Sequence, residues 1–148
     1  MRVRERKVQI SSKFTIAIHT LLCIEHFGKD TKVTSNFIAT STNVNPVIIR
    51  RILGELKEAE IVNVEAGIGG ASIIKPLDKI TMLDVFKAVN CLEDNLFNFH
   101  DNPNPKCDVG KNIHEVLDSR LEDIENKMLD EMSKTTIKML VDDLEKNK

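Results

Sequence analysis

Val33–Ala59 reads VTSNFIATSTNVNPVIIRRILGELKEA, and the fold follows from how this stretch divides. Asn45-Pro46 is its hinge. An asparagine can cap a helix with its side-chain oxygen. A proline at the first helical position gives up an N–H that has no intrahelical acceptor, and its φ already suits the helix. A helix is therefore expected to start at Pro46. Val47, Ile49, Ile52, Leu53 and Leu56 recur at helical spacing as its inner face, leaving Ile48, Arg50, Arg51, Glu55 and Lys57 on more exposed arcs. Upstream, a shorter helix begins at Thr34 or Ser35 and runs to about Thr42, with Phe37, Ile38 and Ser41 turned inward. Helix, tight turn, helix is the expected result. In such a pair the start of the second helix can enter the major groove of DNA, where arginine bonds bidentately to guanine O6 and N7 or clamps a phosphate. The alternative for Arg50 and Arg51 is a solvated surface. Gly54 costs the helix about 1 kcal/mol relative to alanine, which points to close packing against a neighbouring helix.

Beyond this unit, Ile61–Glu65 alternates like a strand, Ala66–Gly70 is a glycine-rich turn, and Ala71–Lys75 returns as a second strand ended by Pro76. A β-hairpin placed after a helix-turn-helix is a wing. Gly67, Gly69 and Gly70 do not make a phosphate loop, because they lead into a strand and no lysine-serine pair follows. They are expected to supply positive φ at the hairpin tip and close approach to a phosphate backbone.

On the N-terminal side, Ser11-Ser12 can cap a helix that is apolar nearly all round, with Phe14, Ile16, Ala17, Ile18, Leu21, Leu22 and Ile24, and that ends before Gly28. His19 and Cys23 lie four residues apart on it, a spacing suited to half a metal site and equally to a packed histidine and a buried thiol. Residues 1–7 carry four basic side chains and Glu5, either a flexible arm reaching for phosphates or a non-native start. On the C-terminal side, Thr81 and Asp84 resemble a capping box for a helix through Val85, Phe86, Val89 and Cys91. Residues 98–107, NFHDNPNPKC, read as a fixed extended loop. From Asp108 the longest periodic segment begins. Ile113, Leu117, Leu121, Ile124, Met128 and Met132 form one apolar stripe along a helix of about 25 residues, which needs a partner; a two-fold mate is the commonest solution. A last helix from Thr135 or Thr136 to Glu145 presents Ile137, Leu140, Val141 and Leu144.

The chain of 148 residues is 41% hydrophobic and 30% charged, in the range of globular proteins and outside that of disordered ones. No apolar run approaches the roughly 20 residues of a membrane span. The charged start is not followed by a signal-type apolar core, so a cytoplasmic protein without membrane association is expected. Three widely spaced cysteines, Cys23, Cys91 and Cys107, argue against a disulfide framework. The net charge of −2 hides a division: residues 1–80 sum to +4 and residues 81–148 to −6, which suits a nucleic-acid-facing half joined to an acidic assembly half. The sequence contains no Ser/His/Asp elbow, HExxH or nucleotide loop, so no enzyme is expected.

The stretches QISSKFTIAIHTLL, NPVIIRRILGELKEAEIV, GIGGASIIKPLDKIT and LDVFKAV resemble the Rrf-two (Rrf2) family of bacterial winged-helix repressors, the family of IscR, NsrR and CymR. The tail FNFHDNPNPKCDVGKNI is similar to its YwnA-like branch. The resemblance implies a mainly α fold with a small β-hairpin: a winged helix-turn-helix over residues 1–80, and a helical dimerisation and sensor region over 81–148 packed with it as one compact unit. It also implies a homodimer that binds palindromic double-stranded operator DNA and represses transcription. Carried onto this chain, the candidate DNA-facing set is Ser12, Lys13, Thr34, Asn45, Pro46, Val47, Arg50, Arg51, Gly67, Gly69, Gly70 and Lys75, with Arg50 and Arg51 at base-reading positions. Ala66 stands where the family wing often carries arginine, so backbone amides or Lys75 are expected to contact phosphates instead. Iron–sulphur members place three cysteines before the long helix; here that loop offers Cys107, and no cofactor is expected. Cys107 lies one residue before a helix start between Lys106 and Lys111, a setting that favours thiolate, so it is the candidate redox or thiol-stress sensor. The other readings are a structural cysteine, a metal site of His100, Cys107 and His114 with Asp101, a small-molecule effector, or a helical interaction module that does not bind DNA.

Overall fold

The computed structural model describes residues 12–66, 69–89, 96–97 and 99–148. The N-terminal arm, Gly67 and Cys91 therefore lie outside the described residues. Among the described residues are six α-helices and one hairpin: α1 Ser12–Phe27, α2 Ser35–Thr42, α3 Pro46–Glu58, β1 Val62–Glu65, β2 Gly70–Ile73, α4 Met82–Ala88, α5 Asp108–Lys134 and α6 Ile137–Lys146.

Local chemistry sets most of the boundaries. Thr34 caps α2, its hydroxyl accepting from the Phe37 N–H at 3.1 Å. Asn43 takes the left-handed conformation (φ 57°) that ends the helix, and Asn45 Oδ1 accepts from the Val47 N–H at 2.8 Å to begin α3 behind Pro46. Thr81 and Asp84 form the expected capping box at α4. The hairpin is antiparallel, with Val62 opposite Ile73 and Glu65 opposite Gly70. Its second strand lies earlier than the sequence suggests, at Gly70–Ile73, because Gly70 (φ 84°) is drawn into the ladder while the Ala71 N–H donates to the Val33 carbonyl at 2.9 Å. A 3-10 turn at Leu77–Lys79, not visible as a pattern, then leads to α4.

One core joins these elements. Phe14, Ala17 and Leu21 of α1, Ile38 of α2, Ile49, Ile52 and Leu56 of α3, Val62 of β1 and Phe86 of α4 are buried together, and Phe14 meets Phe86 edge to face at 5.3 Å. Ile137 of α6 is buried in the same cluster. Its amide donates to the Ile80 carbonyl and the Met82 amide to the Thr135 carbonyl, both at 2.8 Å, so the starts of α4 and α6 are clasped as a short β-bridge. α5 behaves differently. Met128, Leu129 and Met132 pack on the core, but no residue of the helix is buried, and Val109, Val116 and Ile124 are exposed.

Five expectations are corrected. Ser41, expected on the inner face of α2, is exposed, and Ala39 takes the buried place beside Ile38. Val47 is 51% exposed although Ile49 in the same turn is buried, because helical residues two positions apart are separated by about 200° and Val47 falls on the face opposite Ile49 and Leu56. Glu55 is half-buried against α1 and is not on a free arc; its Oε2 meets Lys13 Nζ at 2.8 Å. Gly54 packs against no helix, since a Cβ there would meet nothing within 4 Å. The loop before α5 is not extended throughout: Asn102 is left-handed (φ 51°), and Asn104 turns the chain by accepting from the Lys106 N–H at its Oδ1 and from the Cys107 N–H at its carbonyl.

Candidate nucleic-acid interface

α3 lies with Ile49, Ile52, Leu53 and Leu56 inward. That orientation turns Asn45, Val47, Arg50 and Arg51 outward on its first two turns. Ile48, 39% exposed, joins them, on the exposed arc where the sequence pattern places it. Two guanidinium groups beside two exposed aliphatic side chains match the chemistry of major-groove edges, where arginine reads guanine and apolar groups contact the thymine methyl.

The other sequence candidates fall around this face in different ways. Thr34 is occupied as the α2 cap. Ser12 begins α1, its carbonyl accepting from Thr15 Oγ1 at 2.9 Å, and the Lys13 ammonium pairs with Glu55. In the wing, a Cβ on Gly69 would lie 2.1 Å from that of Glu65, so the tip closes only with glycine. Gly70 is buried, and the backbone it approaches is the chain's own: an added Cβ would come within 3.0 Å of the Val33 nitrogen. Lys75 Nζ stands 4.0 Å from Asp84 Oδ2.

Away from α3 and the wing, Cys107 is exposed at the start of α5, and the backbone N–H groups of Gly110 and Val109 hold its thiol below the ordinary cysteine range. His100, Cys107 and His114 are not brought together as ligands. His114 stacks on Phe99 (4.8 Å between ring centres) and its Nδ1 lies 3.3 Å from Asp118 Oδ1. Among the described residues no group of three or more His, Cys, Asp or Glu side chains is placed to hold a metal ion. Cys23, the other free cysteine described, is buried in α1, and His19 Nε2 bonds Ser41 Oγ at 2.9 Å. The described side chains thus do not fit an iron–sulphur cluster. Among these residues no helix is long and apolar enough to cross a membrane.

Comparison with known proteins bears on the family and the fold. The sequence pattern of the Rrf2 family, described as "Iron-dependent Transcriptional regulator", matches residues 10–143. YwnA of Bacillus subtilis (strain 168), an HTH-type transcriptional regulator by designation, is 41% identical over 135 residues, covering 91% of this chain and 98% of its own. A crystal structure described as that of a DNA binding protein is 36% identical with a TM-score of 0.67, over 87% of this chain and 98% of that one. IscR of T. potens shares the fold at 16% identity, with a TM-score of 0.69 over 97% of this chain and 93% of its own.

Proposed function

The chain belongs to the Rrf2 family of transcriptional regulators, and from that premise we propose that it is a cytoplasmic homodimeric repressor whose paired α3 helices read the two halves of a palindromic operator. Members of the family regulate transcription and are not enzymes; they bind DNA and are generally dimeric. The observation that carries the reading is the outward face of α3, where Asn45, Val47, Ile48, Arg50 and Arg51 share the first two turns of a rigidly capped helix. In this proposal residues 1–80 bind DNA and residues 81–148 assemble the dimer. The apolar face of α5 supports the second role, since Val109, Val116 and Ile124 are 53–70% exposed in the single chain.

The proposed signal is oxidation of Cys107. Its thiolate attacks the terminal oxygen of a hydroperoxide, an S–O bond forms as the O–O bond breaks, transfer of the OH makes the sulphur a sulfenic acid, and hydroxide or alkoxide departs and takes a proton from water. A change at the head of α5 would then alter the spacing of the two reading helices. A second reading, release by a small molecule, is favoured by a cleft of about 450 Å³ between α1 and α6, lined by Ile18, Leu22, Phe27 and Leu144.

Fluorescence anisotropy on the DNA upstream of the protein's own gene, at fixed salt, tests these readings with reduced and peroxide-treated protein. Tight binding when reduced and reversible release on oxidation are expected, with the release lost in Cys107→Ser. Equal binding in both states leaves the repressor and removes the thiol switch. Arg50→Ala should cost about 1–3 kcal/mol on the operator if Arg50 is bidentate to a guanine, and unchanged affinity would end its base-reading role.

A further inference from the structure

Between α3 and the wing runs a groove of about 730 Å³ that shares Arg50 with the outward face of α3 and extends beyond it to Gly54 and Lys57. On its α3 side lie Arg50, Gly54 and Lys57, spaced four and three apart and so on one helical face, with a cation on either side of the glycine. Val64, Glu65 and Ala66 of the wing form the opposite wall.

Gly54 is the anomaly. It lies in the interior of α3, it is exposed, and a Cβ would meet nothing within 4 Å. Alanine would fit there and would strengthen the helix, because glycine has more backbone freedom to lose on folding. Packing within the chain therefore gives no reason for glycine. The open backbone makes sense for something that arrives from outside and comes close to the helix between two cations.

The occupant follows from the docking geometry. With α3 in a major groove and the wing beside it, the sugar–phosphate strand bordering that groove has to pass between them. The charges agree: Arg50 and Lys57 line the channel against one carboxylate, Glu65, which already accepts from Asn63 Nδ2 at 3.2 Å. We propose that one phosphate strand of bound duplex DNA lies in this groove over Gly54, held by Lys57 while Arg50 at the groove's other end reaches the base edges, and that Gly54 is a positioning residue whose missing side chain lets the strand approach α3. The proposal rests on the DNA-binding reading above and adds a sequence-independent contact to it.

The test compares Gly54→Ala and Gly54→Leu with the unchanged protein, by thermal melting and by anisotropy on the upstream DNA and on a scrambled duplex of equal length. Both substitutions keep a strong helix former in place. Gly54→Ala should raise Tm by about 2–4 °C. It should nonetheless bind both duplexes about fivefold more weakly, with Gly54→Leu weaker still. Lys57→Ala should weaken both and lower the salt slope by about one. Undiminished affinity in both Gly54 variants overturns the groove proposal and leaves DNA binding intact. Weakening on the upstream DNA alone also overturns it, because that is the signature of base reading. If the unchanged protein binds neither duplex, the DNA-binding reading itself fails and the groove proposal falls with it.

Discussion

At Asn45 one side-chain oxygen both closes the turn and starts the reading helix, and its bond to the Val47 N–H needs no help from the rest of the molecule. Asn45→Ala should lower unfolding free energy by about 1 kcal/mol, measured by urea titration, since an orphan N–H loses its acceptor. An unchanged midpoint and slope would show that the cap contributes nothing. Cys107 works at the same scale. Amides at the head of α5 stabilise its charged form, so the thiolate population, and with it the alkylation rate by iodoacetamide, should rise at a lower pH than for an ordinary cysteine. Mass spectrometry of the labelled peptide checks this: an inflection in the ordinary cysteine range, or above it, contradicts the activation. Cys23, enclosed by the core, should label slowly at every pH.

Among the elements, α5 has the least support from its own chain. Its last turns rest on the core through Met128, Leu129 and Met132, while its earlier turns carry an apolar stripe with Ile124 53% exposed. Ile124→Glu should convert the proposed dimer to monomer in sedimentation velocity while leaving the helical circular dichroism of the winged part near its original value. A dimer that survives this change would have to be held elsewhere. The hairpin has backbone hydrogen bonds to its neighbours at its base and in its second strand. It is tied to α3 through the Ile61 N–H donating to Leu56, and to the segment before α2 through Ala71 donating to Val33, which fixes the wing beside the reading helix.

In the molecule as a whole, the α4–α6 clasp makes the last helix part of the first domain's core. Ile137 is fully buried with Ile80 and Val85, so Ile137→Ala should cost roughly 2–5 kcal/mol through lost burial and the cavity left behind. Because the core is shared, the loss should appear in one cooperative urea transition. Two separate transitions would show that the winged part and the C-terminal helices fold independently. The Lys13–Glu55 bridge between α1 and α3 adds little to this total, being part-exposed, and one Glu55 oxygen is buried without a hydrogen-bond partner.

The helix-turn-helix, the capping box at Thr81, the hairpin and the start of α5 at Asp108 were all legible in the sequence. Each is specified by groups within about four residues of one another: a side-chain cap, a proline at the first helical position, a glycine that alone fits the tip, an apolar repeat. What the sequence could not settle depends on segments far apart in the chain. Which arc of α3 is covered depends on where the other elements pack, so Ile49 is buried while Val47 is not, and Glu55 meets a lysine 42 residues away in the chain. The exposed glycine and the channel beside it exist only once the wing has folded back alongside α3. Periodicity gives a helix its apolar side; which turns of that side are covered, and which polar side faces a groove, is decided by the tertiary contacts that bring distant surfaces together.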